Sequence, residues 1–329
     1  MDSIGNLAWY AGFAVFVIVA VAVDLLALGR RATDKVTFPV ALTWSVVWIA
    51  LALAFCGLMW WQLDATLGRE LANEKSGEFL TGYVLEKALA VDNLFVFLML
   101  FTFFGVKPAQ QGKVLVIGVL GAIVLRAIMI FIGAWLISQF HWILYVFGVF
   151  LLVTGVKMLM FAEAEPDLAG NPILKWMRGH INLTDEYHGN KLSFLRDGKR
   201  WYTPLFAVVM MIAITDVIFA VDSIPAIFAV TLDPFIVLTS NVFAVLGLRA
   251  LYFMLADLAE RFHLLKYGIA FILVFIGVKM LLIDVYKIPV GAALAVVGTV
   301  LVASMLASLW VTRKPTGAGS GKPAKLPAA

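Results

Sequence analysis

Apolar residues run through this chain in long stretches, each close to bilayer length and each ended by charged or turn-forming residues. About 30 Å of hydrocarbon at about 1.5 Å per residue requires roughly 20 apolar residues in helical form. Stretches of that kind lie at residues 8–28, 39–61, 79–104, 114–138, 141–161, 203–230, 235–256, 264–284 and 289–312. The pattern predicts an all-α polytopic membrane protein with about nine transmembrane helices. Asp2 precedes the first stretch and Arg30 and Arg31 follow it, the reverse of a cleaved signal peptide, so it is read as an anchor.

Direction follows from the loops. With the N-terminus outside, 17 Lys and Arg fall on the inner side and only Arg69, Lys75 and Lys287 on the outer side. Basic residues collect on the cytoplasmic face, so the C-terminus is expected inside. The expected organisation is one membrane domain over residues 1–312, with a hydrophilic cytoplasmic linker at 162–202. Residues 313–329, rich in Gly, Pro and Lys, read as a disordered tail.

Three motifs recur in one order. Glu86 to Asn93 matches Asp216 to Ser223, each an acid, five residues, Asp and a small polar side chain. Leu125-Arg126-Ala127 matches Leu248-Arg249-Ala250, and Gly155-Val156-Lys157-Met158 matches Gly277-Val278-Lys279-Met280. The separation from Arg to Lys is 31 residues in the first set and 30 in the second. An odd number of spans separates the two starts, so the three-helix units at about 79–161 and 203–284 are expected to be inverted. Inverted repeats typify alternating-access transporters, with the site near the midplane between the halves.

Composition agrees: 63% of the residues are hydrophobic, 14% are charged, and the mean hydropathy is +0.97. The net charge of +4 resides mostly in the short inner loops and reports orientation rather than nucleic-acid binding. Cys56 is the chain's single cysteine, which excludes an intramolecular disulfide. No nucleotide-binding Gly-x-x-x-x-Gly-Lys-Ser/Thr loop occurs, and no span combines a nucleophile with a base, so neither ATP-driven pumping nor an enzyme is expected.

Charges inside the spans cost at least about 2.5 to 3.5 kcal/mol each. Asp24, Glu86, Asp92, Asp216 and Asp222 stand against Lys87, Arg126, Lys157, Arg249 and Lys279. These either neutralise one another or line an ion path; Arg126, Lys157, Arg249 and Lys279 read best as counter-charges that tune the acids. Asp24, near the inner end of its span, either snorkels, pairs with Arg30 or joins the ion path. Pro225 removes the usual donor to the Val221 carbonyl, predicting a helix break beside Asp222 or a tolerated kink. With Asn93 and Ser223 the acids offer hard oxygen donors suited to manganese, calcium or magnesium. The scattered methionines read as packing residues and the terminal tryptophans as interface anchors.

The Thr81-Gly82-Tyr83 and Glu86-to-Asn93 segments, with the run from Asp216 to Thr231, resemble the TerC family of bacterial membrane proteins. Within it the similarity is to the Alx branch, and it covers nearly all the spans. The resemblance implies a bacterial inner-membrane protein that exports divalent manganese as its transported substrate, with no bound cofactor. It carries metal-ligand roles onto Glu86, Asp92, Asp216 and Asp222. Some members are associated with tellurite resistance or with metal supply to exported enzymes. One departure is Ala213, where related sequences often have Glu, which puts metal affinity or coupling in question. The competing expectations are a calcium or other hard-cation transporter and a stress-response scaffold acting through the linker.

The orientation has a direct test. Green fluorescent protein fused to the C-terminus is expected to fluoresce, and alkaline phosphatase inserted after Gly68 is expected to be active. The opposite pair of results would invert the topology.

Overall fold

The computed structural model describes residues 3–29, 38–160, 171–196, 198–256, 264–286 and 288–313. In chain order the helices are α1 (Leu7–Gly29), α2 (Phe38–Leu67), α3 (Arg69–Phe103), α4 (Pro108–Gln139), α5 (Ile143–Met160) and α6 (Pro172–His180). After a hairpin of β1 (Ser193–Arg196) and β2 (Lys199–Tyr202) come α7 (Pro204–Phe228), α8 (Pro234–Val245), α9 (Leu248–Ala256), α10 (Leu265–Leu281) and α11 (Val290–Arg313). Outward-facing Ile18, Val46, Phe131, Ile132, Val153 and Leu306 form an apolar exterior fit for lipid. The fold is an all-α polytopic membrane protein.

Among the described residues, seven segments are long and apolar enough to span, with α8 and α9 together forming one of them, Pro234–Met254. This is two fewer than the sequence predicts, and both differences have a physical cause. The α3 helix begins at Arg69, ten positions before the expected start, and carries Glu70, Glu74, Lys75, Glu78, Glu86 and Lys87 along its length. The α10 helix has 17 described residues, just short of bilayer length.

The linker at 162–202 is more than a connection. Its described part holds α6 and the hairpin, which pairs Ser193 with Tyr202 and Arg196 with Lys199. Asn171 starts α6 by accepting from the Ile173 amide, and Pro172 takes the first helical position. The segment is tied to the α3–α4 corner. Tyr187 donates to the Phe104 carbonyl at 2.6 Å, Gln110 to the Gly189 carbonyl at 2.6 Å, and Lys113 to the Asn190 carbonyl at 2.7 Å. Burial raises the Tyr187 phenol above its usual pKa. Residues 314–329, the expected tail, and Arg30 lie outside the described residues.

The α8 helix is the central pillar, with every residue from Phe235 to Val245 buried. Phe13, Phe55 and Phe79 converge on Phe235 and Phe243, clamping α1, α2 and α3 to it. Gly82 allows α3 to approach, since a Cβ there would stand 3.0 Å from Ser240 Oγ. At the N-terminus, Ser3 Oγ and the Ile4 amide donate to Asp233 at 2.9 and 2.8 Å, which seats that end on the α7–α8 connection. At the other face, Ser308 Oγ accepts from the Leu264 amide at 3.4 Å, joining the start of α10 to the end of α11.

Pro225 does not break its helix. The α7 helix continues to Phe228, and the Ala229 amide closes its end on the Pro225 carbonyl at 3.0 Å. A proline one turn from a helix end costs little when neighbouring groups restore the lost bonding. The break lies in the next span instead, at Leu246–Gly247, where Gly247 has φ +83°.

The α5 and α10 helices pack closely and antiparallel. A Cβ on Gly155 would lie 2.9 Å from the Ala270 carbonyl and the Val274 amide nitrogen; one on Gly277 would lie 2.9 Å from the Gly148 carbonyl and 2.8 Å from the Leu152 amide nitrogen. Shifting residue numbers by 122 turns the first set of contacts into the second. Neither backbone has room to move away without parting the pair. Gly155→Ala is therefore expected to cost about 1 to 3 kcal/mol through overpacking, lowering the melting temperature in detergent. Gly57→Ala, with no atom within 4 Å of the added Cβ, is expected to leave it unchanged or higher.

Candidate functional site

The helix periodicity of α3 sends consecutive charged residues in different directions. Glu86 is fully buried and points to Arg126 of α4; Lys87 points to the α8–α9 junction. Arg126, 1% exposed, is the largest fully buried side chain among the described residues. It forms an ion pair with Glu86 and a second with Asp216 of α7, whose Oδ1 lies 3.4 Å from its terminal nitrogen. It also donates to Asn241 Oδ1 at 3.1 Å and Ser223 Oγ at 3.5 Å. Three helices, α3, α7 and α8, thus deliver two acids, an amide and a hydroxyl to one guanidinium on α4, whose fixed fork suits several acceptors at once.

The cluster is not saturated. Among the described residues, Glu86 Oε2, Asp216 Oδ2 and Asn241 Nδ2 are buried without hydrogen-bond partners. Two carboxylates against one guanidinium also leave one negative charge over when both are ionised. Buried carboxylate oxygens that no protein donor meets are chemically able to take a cation or a proton.

The other predicted residues are distributed around this centre. Asp222 is half-buried one layer away and feels the charge of Lys157 of α5, not Arg126. Asn93 is buried further along α3. The side chain of Asp92 lies outside the described residues. Lys279 lies near Glu78, which accepts from Thr231 Oγ1 at 2.6 Å and Lys75 Nζ at 3.0 Å. Arg249 does not mirror Arg126. It pairs with Asp24 of α1 at 3.5 Å and donates to the Asp24 carbonyl at 2.9 Å, which gives that isolated acid its partner.

Among the described residues no group of three or more His, Cys, Asp or Glu is gathered to hold a metal. The reason is visible at the centre: Arg126 stands between the two acids that would have to meet. Three contributors went unpredicted. Asn241 belongs to a Thr239-Ser240-Asn241 trio, an anomaly in an apolar span that marks a buried polar function. Glu78 lies at the edge of its predicted span, where acids are ordinary. Lys87 stands out in the sequence as a buried charge, but nothing there points to its partner at the α8–α9 junction.

A multi-span membrane protein with a buried, partly unsatisfied ion cluster is the class this arrangement defines. Residues 71–316 match the integral membrane protein TerC family, and the chain belongs to that family. It is 54% identical over 311 residues to a protein of Escherichia coli (strain K12), covering 94% of this chain and 97% of the other, and 52% identical over 314 residues to one of Salmonella typhi, covering 95% and 98%. Both relatives carry the name "Putative membrane-bound redox modulator Alx". An uncharacterized membrane protein of Myxococcus xanthus is 42% identical over 311 residues, covering 94% and 95%. No solved structure matches.

Removing Arg126 alone strands two buried carboxylates, at a cost of about 3 to 5 kcal/mol. Arg126→Met should lose most of its monodisperse yield in size-exclusion chromatography. Adding Glu86→Gln and Asp216→Asn should restore much of it. Normal yield of the single variant would show that Arg126 does not neutralise this pair.

Proposed function

We propose that the chain is a secondary transporter exporting divalent manganese from the cytoplasm through the acidic site between two inverted three-helix repeats. The observation that carries this reading is the meeting of Glu86 and Asp216, matched residues of the two motif sets, on one buried arginine. The number-shifted contacts of α5 with α10 support the inverted repeat, because antiparallel partners that exchange roles under one shift are what a two-fold axis in the membrane plane produces.

Sidedness is consistent with nine crossings and an external N-terminus. The α3–α4 corner meets the linker, the N-terminus meets the α7–α8 connection, and His141 of the α4–α5 corner approaches Asp284 after α10 at 3.7 Å. Each contact joins two connections expected on one side. Counting α8 with α9 as one span and α6 as extramembrane, α3 and α10 complete the nine.

Charge favours a divalent cargo. An arriving metal ion of charge +2 replaces Arg126 between two carboxylates and leaves the pair neutral. Asp92, Asp222, Asn93 and Ser223 supply further hard oxygens along α3 and α7, as manganese prefers. Carboxylates that carry protons must release them to bind metal, which offers proton antiport as the driving reaction. The relatives' redox name has no dithiol counterpart here, since Cys56 is the chain's one sulfhydryl and is buried against the Ser76 carbonyl.

The test is manganese accumulation in bacterial cells lacking their own exporter. The intact chain is expected to lower cell manganese severalfold, while Glu86→Gln and Asp222→Asn are inserted but inactive. If both variants export normally, the site is wrong. If the intact chain fails and Ala213→Glu exports, Ala213 disables this protein; if all fail while calcium efflux appears, the cargo is calcium.

A further inference from the structure

The two arms that carry the matched Leu-Arg-Ala motifs differ in one respect. The α4 helix runs unbroken through Val124, Leu125 and Arg126, whereas the corresponding span stops at Leu246, turns at Gly247 and restarts at Leu248. Gly247 has φ +83°, and a Cβ there would lie 2.5 Å from the Trp48 ring, so position and conformation both demand glycine. Breaking the helix frees carbonyls that have no further turn to bond. Lys87 of α3 meets them: its ammonium donates to the Ala244 carbonyl at 3.1 Å and the Leu246 carbonyl at 3.4 Å. A cation at a helix C-terminus is also favoured by the helix dipole.

Each side of the break has its own anchor. Above it, Asn241 of α8 is held by Arg126; below it, Arg249 of α9 is held by Asp24 of α1. Each anchor keeps buried atoms without a hydrogen bond, but the lower one is the less buried: the Arg249 and Asp24 side chains are 6% and 17% exposed, against 1% for Arg126. Lys87 directly follows Glu86, so the contact at the break and the ion cluster share one turn of α3.

The geometry points to Lys87 as a positioning residue that latches a hinge at Leu246–Gly247, about which α9 swings to open the cytoplasmic side of the acidic site. The hinge stands on the structure alone; its use as a transport gate rests on the proposed function. One repeat then supplies a rigid arm that holds the acids, and the other a hinged arm that admits the cation. Releasing the latch loosens α9 and leaves α8 packed.

Two measurements on the full-length protein in lipid nanodiscs test this, neither using a metal. In a Cys56→Ser background, Ala250→Cys reports on α9 and Val242→Cys on α8, both positions being buried. Lys87→Met is expected to raise the maleimide labelling rate at position 250 at least tenfold with position 242 unchanged, and Lys87→Arg to restore slow labelling. Unchanged labelling at 250, or an equal rise at both positions, overturns the latch. Should Lys87→Met fail to fold, hydrogen exchange of the unmodified chain decides: amides of 248–256 are expected to exchange at least tenfold faster than those of 125–133, and equal rates overturn the hinge. Either failure leaves manganese export to be judged by the accumulation assay.

Discussion

Neutralising charge where water is scarce is the constraint on which the rest of this structure depends. Arg126, Glu86 and Asp216 would each cost several kcal/mol alone at this depth, and the bundle is arranged so that none is alone. That requirement brings α3, α4 and α7 to one point and turns the polar face of α8 inward, where Asn241 completes the arginine's shell. The aromatic clamp on Phe235 and Phe243 then fixes α8 against α1, α2 and α3. Apolar packing in lipid has little driving force of its own, so the buried ion cluster and close glycine contacts supply much of the specificity.

The same cluster is a poor stabiliser. A buried ion pair repays its desolvation only when every lone pair and proton is used, and here Glu86 Oε2, Asp216 Oδ2 and the Arg126 Nε are left over. A fold selected for stability alone would fill such a site with apolar side chains. Retaining it is intelligible if the acids must exchange an internal cation for an external one at small net cost.

Much of this was legible in the sequence. The acids, arginines and lysines of the repeated motifs stand out because charge in an apolar run is expensive, and because they recur in one order at similar spacing. The helix start at Arg69 was hidden because a charged extension beyond the membrane follows no hydropathy rule. The α6 helix and the hairpin were hidden in a polar stretch too short and mixed to show a period. Pro225 misled because the energetic cost of proline depends on its distance from the helix end, which the sequence places only within a few residues. The real break escaped because Leu246-Gly247-Leu248 keeps the run apolar; only the positive φ and the Trp48 contact reveal why that glycine differs from Gly57 or Gly112.

The two halves carry matched motifs and unmatched electrostatics, and this bears on how such a site can work. Had Arg249 met its own pair of acids as Arg126 does, two equal clusters would hold both arms rigid, and the bundle would have no softer side. Instead Arg249 reaches outside the matched motifs to Asp24 on α1. The first span, which carries none of the matched motifs, thereby touches the broken arm, and Lys87 of α3 bonds to the same arm at its break. The proposed inverted symmetry would supply two equivalent ways of closing the site, and the unequal partners of Arg126 and Arg249 make the two unlike. Under the proposed export function that inequality has a use, because equal arms would leave the resting protein facing both sides alike, whereas a less buried anchor on one arm favours opening there.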